Sequence, residues 1–251
     1  MSKDNFMEKD LDCLNIGEKN HIIDCYTRKM FKNKKVLEVG GTTPKEITEK
    51  LNVSSWSCVD PDRASNDILT DNYKQYKCNI SEFDKDCDFD LIYSTNCFEH
   101  ISNLEESITR MYELLKPEGR LSSLAGPIFS SYKGHHTWIN TEEYGLIDFN
   151  NVKIEKWGHL IYSEEELFNK LTKYYNEKIS TKIINQIFHR QSINRLFFDD
   201  YVEIINKSKF KIIEFRDWHQ SQYPDEEILK KLKKYNKKNF STVSIKMILE
   251  K

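Results

Sequence analysis

The chain predicts an α/β fold: a doubly wound sheet flanked by helices, with a helical cap inserted after the fifth strand. Three observations carry this. A short apolar run, Val36-Leu37-Glu38-Val39, ends in Gly40-Gly41 and leads into a helical stretch. Further apolar runs then alternate with helical patterns up to Ile128, as successive strand–helix crossovers in one sheet require. The alternation breaks after Phe129 and resumes at Phe198 with a helix and two more strands. A length of 251 residues suits one such domain with an insertion. The whole chain, 1–251, is therefore read as a single domain, with 129–196 as an inserted substrate-binding cap.

Taken in order, residues 17–31 place Ile22, Ile23, Tyr26, Met30 and Phe31 at amphipathic-helix spacing. Residues 34–44 (KKVLEVGGTTP) follow as the central unit. β-branched residues suit a strand buried on both faces, and two glycines permit a sharp turn close to a ligand. Pro44 fits the first turn of a helix starting near Thr43. Glu38 is the odd residue, because a carboxylate in a buried strand needs a partner; a ligand's ammonium or hydroxyls would serve. The second strand, 55–60, ends in Asp60, 20 residues after Gly40. That spacing lets a carboxylate accept from both hydroxyls of a ribose, although an Asp before a Pro is also an ordinary turn residue.

Residues 73–80 read as an edge-like third strand ending in Asn79-Ile80, where an amide can reach an adenine amino group and an apolar side chain can cover the ring. The fourth strand, 89–94, leads into Thr95-Asn96-Cys97-Phe98-Glu99-His100. A helix over 102–116 is expected next, with Ser102 as N-cap, Glu105 completing a capping box, and Pro117 and Gly119 as its stop. The fifth strand is 120–128. Inside the insertion, 163–175 and 183–189 are helical. Beyond it come a helix at 198–207, a strand at 210–215, a lysine-rich helix at 224–238 with a solvated face, and a last strand at 241–249.

Composition excludes several classes. Charged residues make up 31% and no apolar run approaches the ~18 residues of a membrane span. The opening MSKDNFMEKD lacks the apolar core of a signal peptide. A net charge of -2 argues against nucleic acid and anionic membranes as partners. The six cysteines contain no C-x-x-C pair and read as thiols of a reducing compartment, so the cytoplasm is expected.

VLEVGG, Asp60, Asn79-Ile80, FDLIYSTNCFEHI and LLKPEGRL together resemble the successive motifs of class I S-adenosylmethionine-dependent methyltransferases. The resemblance covers 34 to about 126. It implies a seven-stranded mixed sheet with the last strand antiparallel, and S-adenosylmethionine as cofactor, with S-adenosylhomocysteine as product. It also implies roles. Glu38, Gly40 and Gly41 would line the methionine part, Asp60 the ribose, Asn79 and Ile80 the adenine, and Ser94, Thr95 and Asn96 the sulfonium end. Two departures stand out: Thr42 and Pro44 occupy positions where the family has further glycines, and Asn79 replaces an acid.

Methyl transfer to a hydroxyl needs a group that removes its proton, and histidine is the side chain suited to this near neutral pH. His135 or His136 is nominated first and His100 second. Tyr132, Lys133, Trp138 and Arg195 are expected to contact a small-molecule acceptor, and Arg190 shares Arg195's capacity for a phosphate or carboxylate. The histidines of the cap, with Glu142, have no fixed ligand spacing, and no metal is assigned. The expected acceptor atom is an oxygen of a sugar, nucleotide-linked sugar, or phosphorylated or phosphoramidate metabolite. GPIFSSYKGHH also resembles methyltransferases of bacterial surface-polysaccharide modification. A non-catalytic cofactor-binding or scaffold protein and an RNA methyltransferase are the alternatives.

Overall fold

The computed structural model describes residues 8–65, 68–218 and 221–251. Most of the charged opening stretch thus lies outside the described residues. Helix α1 (Ile16–Thr27) precedes β1 (Lys35–Val39), α2 (Lys45–Lys50) and β2 (Ser55–Val59). A short β3 (Ile68–Thr70), β4 (Tyr73–Tyr76), β5 (Phe89–Thr95), α3 (Leu104–Leu114) and β6 (Leu115–Ala125) complete the first half. The insertion holds a hairpin, β7 (Trp138–Thr141) and β8 (Gly145–Asp148), then α4 (Gly158–Ile161), α5 (Glu164–Leu171) and α6 (Glu177–Ile184). Helix α7 (Phe198–Lys207), β9 (Lys211–Asp217), α8 (Glu226–Leu232) and β10 (Ile245–Glu250) close the chain.

Seven strands form the expected sheet in the order β4-β2-β1-β5-β6-β10-β9, and β3 extends its outer edge by pairing antiparallel with β4. The last strand, β10, runs antiparallel to both neighbours, while β2, β1, β5 and β6 are parallel. From β1 the chain steps outward to β4, then crosses back to lay β5 on the other side of β1. The order reverses there, so a crevice opens at the carboxyl ends of β1 and β5.

Side chains alternate across the sheet with the period of two that a strand imposes. Leu37 and Val39 join Ile108 and Met111 of α3 and Tyr201 and Ile205 of α7 in one core. Val36 faces the other way, into a cluster with Ile22 and Cys25 of α1, Ile47 of α2, Trp56 and Tyr93. β1 is therefore apolar on both faces because helices cover both. Truncating a side chain such as Leu37 to Ala would cost about 2–5 kcal/mol.

Local chemistry sets the helix ends. At α1, Asn15 Oδ1 accepts from Glu18 N at 3.0 Å and Glu18 Oε2 accepts from Asn15 N at 3.1 Å, a reciprocal capping box. The box expected at Ser102 does not form: Asn103 is the N-cap of α3, one residue later. Nor do Pro117 and Gly119 end that helix. It stops at Leu114, and the two residues lie within β6, where the pairing register with β5 shifts between Phe89 and Leu91. The turn-forming residues thus mark an irregularity at a strand's start. Pro44 is the N-cap of α2 and not its first helical residue.

The inserted segment is not wholly helical. Ile139 and Ile147 of the β7–β8 hairpin pack on Leu167 and Leu171 of α5 and Ile179 and Ile183 of α6, forming a core of their own. Alternation of buried Ile139 with exposed Trp138 and Asn140 is the strand signature that the helical expectation passed over.

Candidate functional site

A cavity of about 350 Å³ lies in the crevice. Gly40, Asp60, Asn79, Ile80, Asn96 and His100 line it, together with Arg63, Cys97, Arg190 and Ser192. Each comes from just beyond a strand's carboxyl end or from the end of the inserted segment.

The glycine pair is demanded by its protein neighbours. Gly40 has φ +80°, and a Cβ there would lie 2.0 Å from Cys97 Sγ. A Cβ on Gly41 would lie 2.3 Å from Glu38 Oε1. Gly41 and Glu38 are not among the cavity-lining residues, which corrects the expectation that a ligand satisfies this carboxylate. Protein donors do so instead: Thr43 N at 2.8 Å, Thr43 Oγ1 at 2.7 Å, Trp56 Nε1 at 2.9 Å and Cys58 Sγ at 3.3 Å. Burial raises the pKa of Glu38 and these hydrogen bonds oppose the rise. Its carboxylate ties β1, the loop after it and β2 together.

Asp60 stands at the tip of β2, 6% exposed. Its Oδ1 accepts from Asp62 N at 2.7 Å and Arg63 N at 2.6 Å, which fixes the carboxylate's orientation. Oδ2 has no hydrogen bond to a described residue and remains available to a ligand. Asn79 donates to Glu82 Oε2 at 3.3 Å, and Ile80 is buried against the cavity. Asn96, at φ +50°, is fixed by its N–H on Leu124 O at 2.8 Å. Ser94 and Thr95 point inward. Ser94 Oγ donates to Val39 O at 2.9 Å, and Thr95 Oγ1 pairs with His21 Nδ1 at 2.6 Å. Glu38, Gly41, Ser94 and Thr95 thus support the wall from behind, and Gly40, Asp60, Asn79, Ile80 and Asn96 form it.

The histidines sort by environment, reversing their expected order. His100 alone of the three lines the cavity. Its Nδ1 is 2.7 Å from Ser192 O. A carbonyl only accepts, so Nδ1 carries the hydrogen and Nε2 keeps its lone pair. Protein packed around the ring lowers its pKa, and Arg190 and Arg63 lower it further, so the imidazole is neutral at pH 7. His136 is 9% exposed and donates through Nε2 to Pro127 O, and burial drives its pKa down to about 3. His135 is 4% exposed, with Nδ1 held by Thr137 Oγ1 at 2.9 Å, and burial holds it well below the usual range. Its ring meets buried His159 at 5.7 Å, and His136 meets His100 at 5.5 Å. The pair after β6 is buried packing, and His100 is the one of the three that lines the cavity.

The remaining cap residues also need correction. Tyr132 packs on Trp157 at 5.8 Å, and Lys133 donates to Asn150 Oδ1 at 2.8 Å; neither lines the cavity. Arg195 donates to the carbonyls of Arg190 at 2.9 Å and Ile187 at 3.1 Å, closing the chain after α6 on itself. Arg190 is the arginine that reaches the cavity, and Trp138 lines a neighbouring groove. Arg63 was not anticipated, although its place just after Asp60-Pro61 in a turn offered a signal. Glu99 was passed over too. It is 1% exposed, with Oε2 lacking a hydrogen-bond partner among the described residues, and burial raises its pKa to about 8. Among the described residues no group of three histidine, cysteine or acidic side chains could hold a metal.

Comparison with known proteins agrees with this architecture. The mitochondrial ubiquinone biosynthesis O-methyltransferase of Rattus norvegicus is 28% identical over 121 residues, 39% of this chain and 35% of that protein. The chain thus matches about a third of that relative's length (35%). An S-adenosylmethionine-dependent methyltransferase from Mesorhizobium loti superposes with TM-score 0.53 at 9% identity, over 92% of this chain and 98% of its own. The 1,6-didemethyltoxoflavin-N1-methyltransferase of Burkholderia thailandensis, solved with 1,6-didemethyltoxoflavin and S-adenosylhomocysteine, does so with TM-score 0.50 at 11% identity, over 97% and 81%. These likenesses are of fold. The family model for the methyltransferase domain matches residues 22–199, a span that includes every cavity-lining residue from Val39 to Ser192. The chain belongs to the methyltransferase domain family.

Proposed function

We propose that the protein transfers a methyl group from S-adenosylmethionine to an oxygen of a small polar acceptor, namely a sugar, a nucleotide-linked sugar, or a phosphorylated or phosphoramidate metabolite. The observation that carries the chemistry is His100: a neutral imidazole at the cavity wall, oriented by Ser192 O, with Nε2 unspent and Arg190 alongside. The fit to the donor rests on the place of Gly40 and Asp60 in the cavity wall and on the unspent Oδ2 of Asp60. The likeness in fold to a protein that holds S-adenosylhomocysteine supports the same assignment.

Asp60 accepts from the ribose hydroxyls, Asn79 accepts from the adenine amino group, and Ile80 covers the ring. Gly40 and Asn96 bound the methionine and sulfonium end. Bound there, S-adenosylmethionine supplies an electrophilic methyl group. His100 Nε2 takes the proton of the acceptor hydroxyl, while Nδ1–H stays on Ser192 O and so steadies the imidazolium. Residues 129–196 act as the substrate cap, with Arg190 holding an anionic part of the acceptor. The resemblance of GPIFSSYKGHH noted above supports a role in polysaccharide biosynthesis, and the cysteine usage supports the cytoplasm as its place.

The test is calorimetry with S-adenosylmethionine and S-adenosylhomocysteine, followed by an acceptor screen with a methyl-labelled donor. Asp60→Ala should weaken donor binding by about 2–3 kcal/mol, the loss of charge-assisted hydrogen bonds. Unchanged affinity would remove the ribose assignment. Donor binding without transfer to any oxygen acceptor would leave a binding protein.

A further inference from the structure

Beside the cavity lies a second groove, about 490 Å³, between β7 and the end of α6. Trp138 and Asn140 come from the hairpin, Lys182, Asn185 and Gln186 from α6 and the turn after it, and Arg190 from just beyond. Arg190 also lines the donor cavity, so the two spaces meet at its side chain.

The groove is held in shape. Trp138 is 55% exposed, a large apolar surface to leave in water. Its backbone is nonetheless fixed: Trp138 N donates to Gln186 Oε1 and Gln186 Nε2 donates to Trp138 O, both at 2.8 Å. Phe149 supports the indole at 6.2 Å. Helix α6 runs into a π-helical turn, Asn185–His189, closed by Arg190 N on Asn185 O at 2.9 Å. Such turns are uncommon and recur at binding sites. Neither Lys182 nor Arg190 forms an ion pair with a described residue, and no acid lines the groove.

An aromatic platform, amide side chains and two unneutralised cations thus share one trough. A lone phosphate would need only the cations; the indole calls for a ring. We propose that this groove receives a nucleoside diphosphate carried by the acceptor. The base lies on Trp138 with the amides of Asn140 and Asn185 at its edge, and the diphosphate lies between Lys182 and Arg190. The group attached beyond the diphosphate then falls at His100. This assignment rests on the methyl-transfer function proposed above and narrows its acceptor to the nucleotide-linked class.

The test is a calorimetric titration of the full chain with CDP, UDP and GDP, against inorganic pyrophosphate and ribose 5-phosphate, with and without saturating S-adenosylhomocysteine. At least one nucleoside diphosphate should bind about tenfold or more tightly than pyrophosphate. Trp138→Ala should erase that margin and Trp138→Phe should keep most of it. Both retain the two hydrogen bonds to Gln186, which use backbone atoms. Lys182→Ala should weaken nucleotide and pyrophosphate alike, by about tenfold. S-adenosylhomocysteine affinity should not change in the Trp138 variants. Pyrophosphate binding as tightly as every nucleotide, or nucleotide binding indifferent to Trp138→Ala, overturns the proposal. Absence of S-adenosylhomocysteine binding would overturn the donor assignment separately, because Trp138→Ala and Lys182→Ala change the groove and not the donor cavity. Where it does bind, saturating it closes the donor cavity to the nucleotides, and the titration then reads the groove alone.

Discussion

His100 and His136 lie 5.5 Å apart, yet they are set up for different ends. Both are neutral at pH 7, but His136 is spent on Pro127 O and His100 keeps a lone pair at the cavity. His100→Asn should therefore lower kcat by about 10²–10⁴-fold. Wild-type activity should rise with pH through a pKa below the ordinary 6.5, and the variant should lose that rise. An unchanged pH–rate profile in His100→Asn would move the base elsewhere. Glu99 yields a second prediction, read by thermal melts. Its folded pKa, about 8, exceeds the ordinary 4.5 of a glutamate, so the folded state holds a proton that the unfolded state releases between those pH values. Stability from the neutral acid is full below pH 4.5 and is lost as pH rises toward 8. Glu99→Gln removes that dependence. The melting temperature of the variant relative to wild type should climb across this window; a constant offset would mean that Glu99 titrates normally.

At the level of the element, the loop after β1 is a mutual fit of Gly40 with the start of the segment after β5. Gly40→Ala should destabilise the protein by roughly 1–3 kcal/mol, through positive φ and the collision with Cys97. Cys97→Gly in the same chain should recover the steric part and leave the φ part, a coupling that a double-mutant cycle of denaturant midpoints would show. Additive losses would mean that the two loops do not touch. This contact illustrates what was legible and what was not. Residues 36–41 disclosed a strand and a turn because period and glycine are local signals, and the positions of Asp60 and Asn79 follow from the strand–helix rhythm. The reason for Gly40 was not local: it lies in Cys97, brought there by the parallel pairing of β1 with β5. Gly41 answers to Glu38, three residues before it, whose carboxylate is held in place by donors from β2. The same limit reversed the histidines. His135 and His136 carry the stronger sequence signal, but packing of the inserted segment buries them, whereas His100 is oriented by Ser192, 92 residues away. The β7–β8 hairpin was missed because four-residue strands give too few alternations to stand out between helices.

For the whole molecule, the formal net charge of -2 hides a local asymmetry. Arg63 and Arg190 reach the donor cavity, and Arg190 and Lys182 line the groove beside it without an acid among them. The sheet's crossover at β1 and β5 creates the cavity, the turn after β2 brings Arg63 to it, and the insertion adds Lys182 and Arg190. Donor and acceptor recognition should therefore differ in their response to salt. S-adenosylhomocysteine is a zwitterion, and in the proposed site its ribose would meet Asp60 and its adenine Asn79 and Ile80, contacts without an ion pair, so its Kd should change little between low and physiological ionic strength. An anionic acceptor is drawn by exposed, unpaired cations whose field is screened within about 8 Å at physiological salt. Its KM should rise with salt while kcat, assayed above pH 7 where His100 is already neutral, stays level, because Arg190 and Arg63 touch the base only through its pKa and otherwise act on binding. Arg190→Gln should raise KM at low salt and flatten its dependence on ionic strength. Steady-state kinetics over a salt series, for wild type and Arg190→Gln, measures both. A KM indifferent to salt in wild type would mean that the acceptor is uncharged where it meets the protein, and that the basic seam serves no part in its capture.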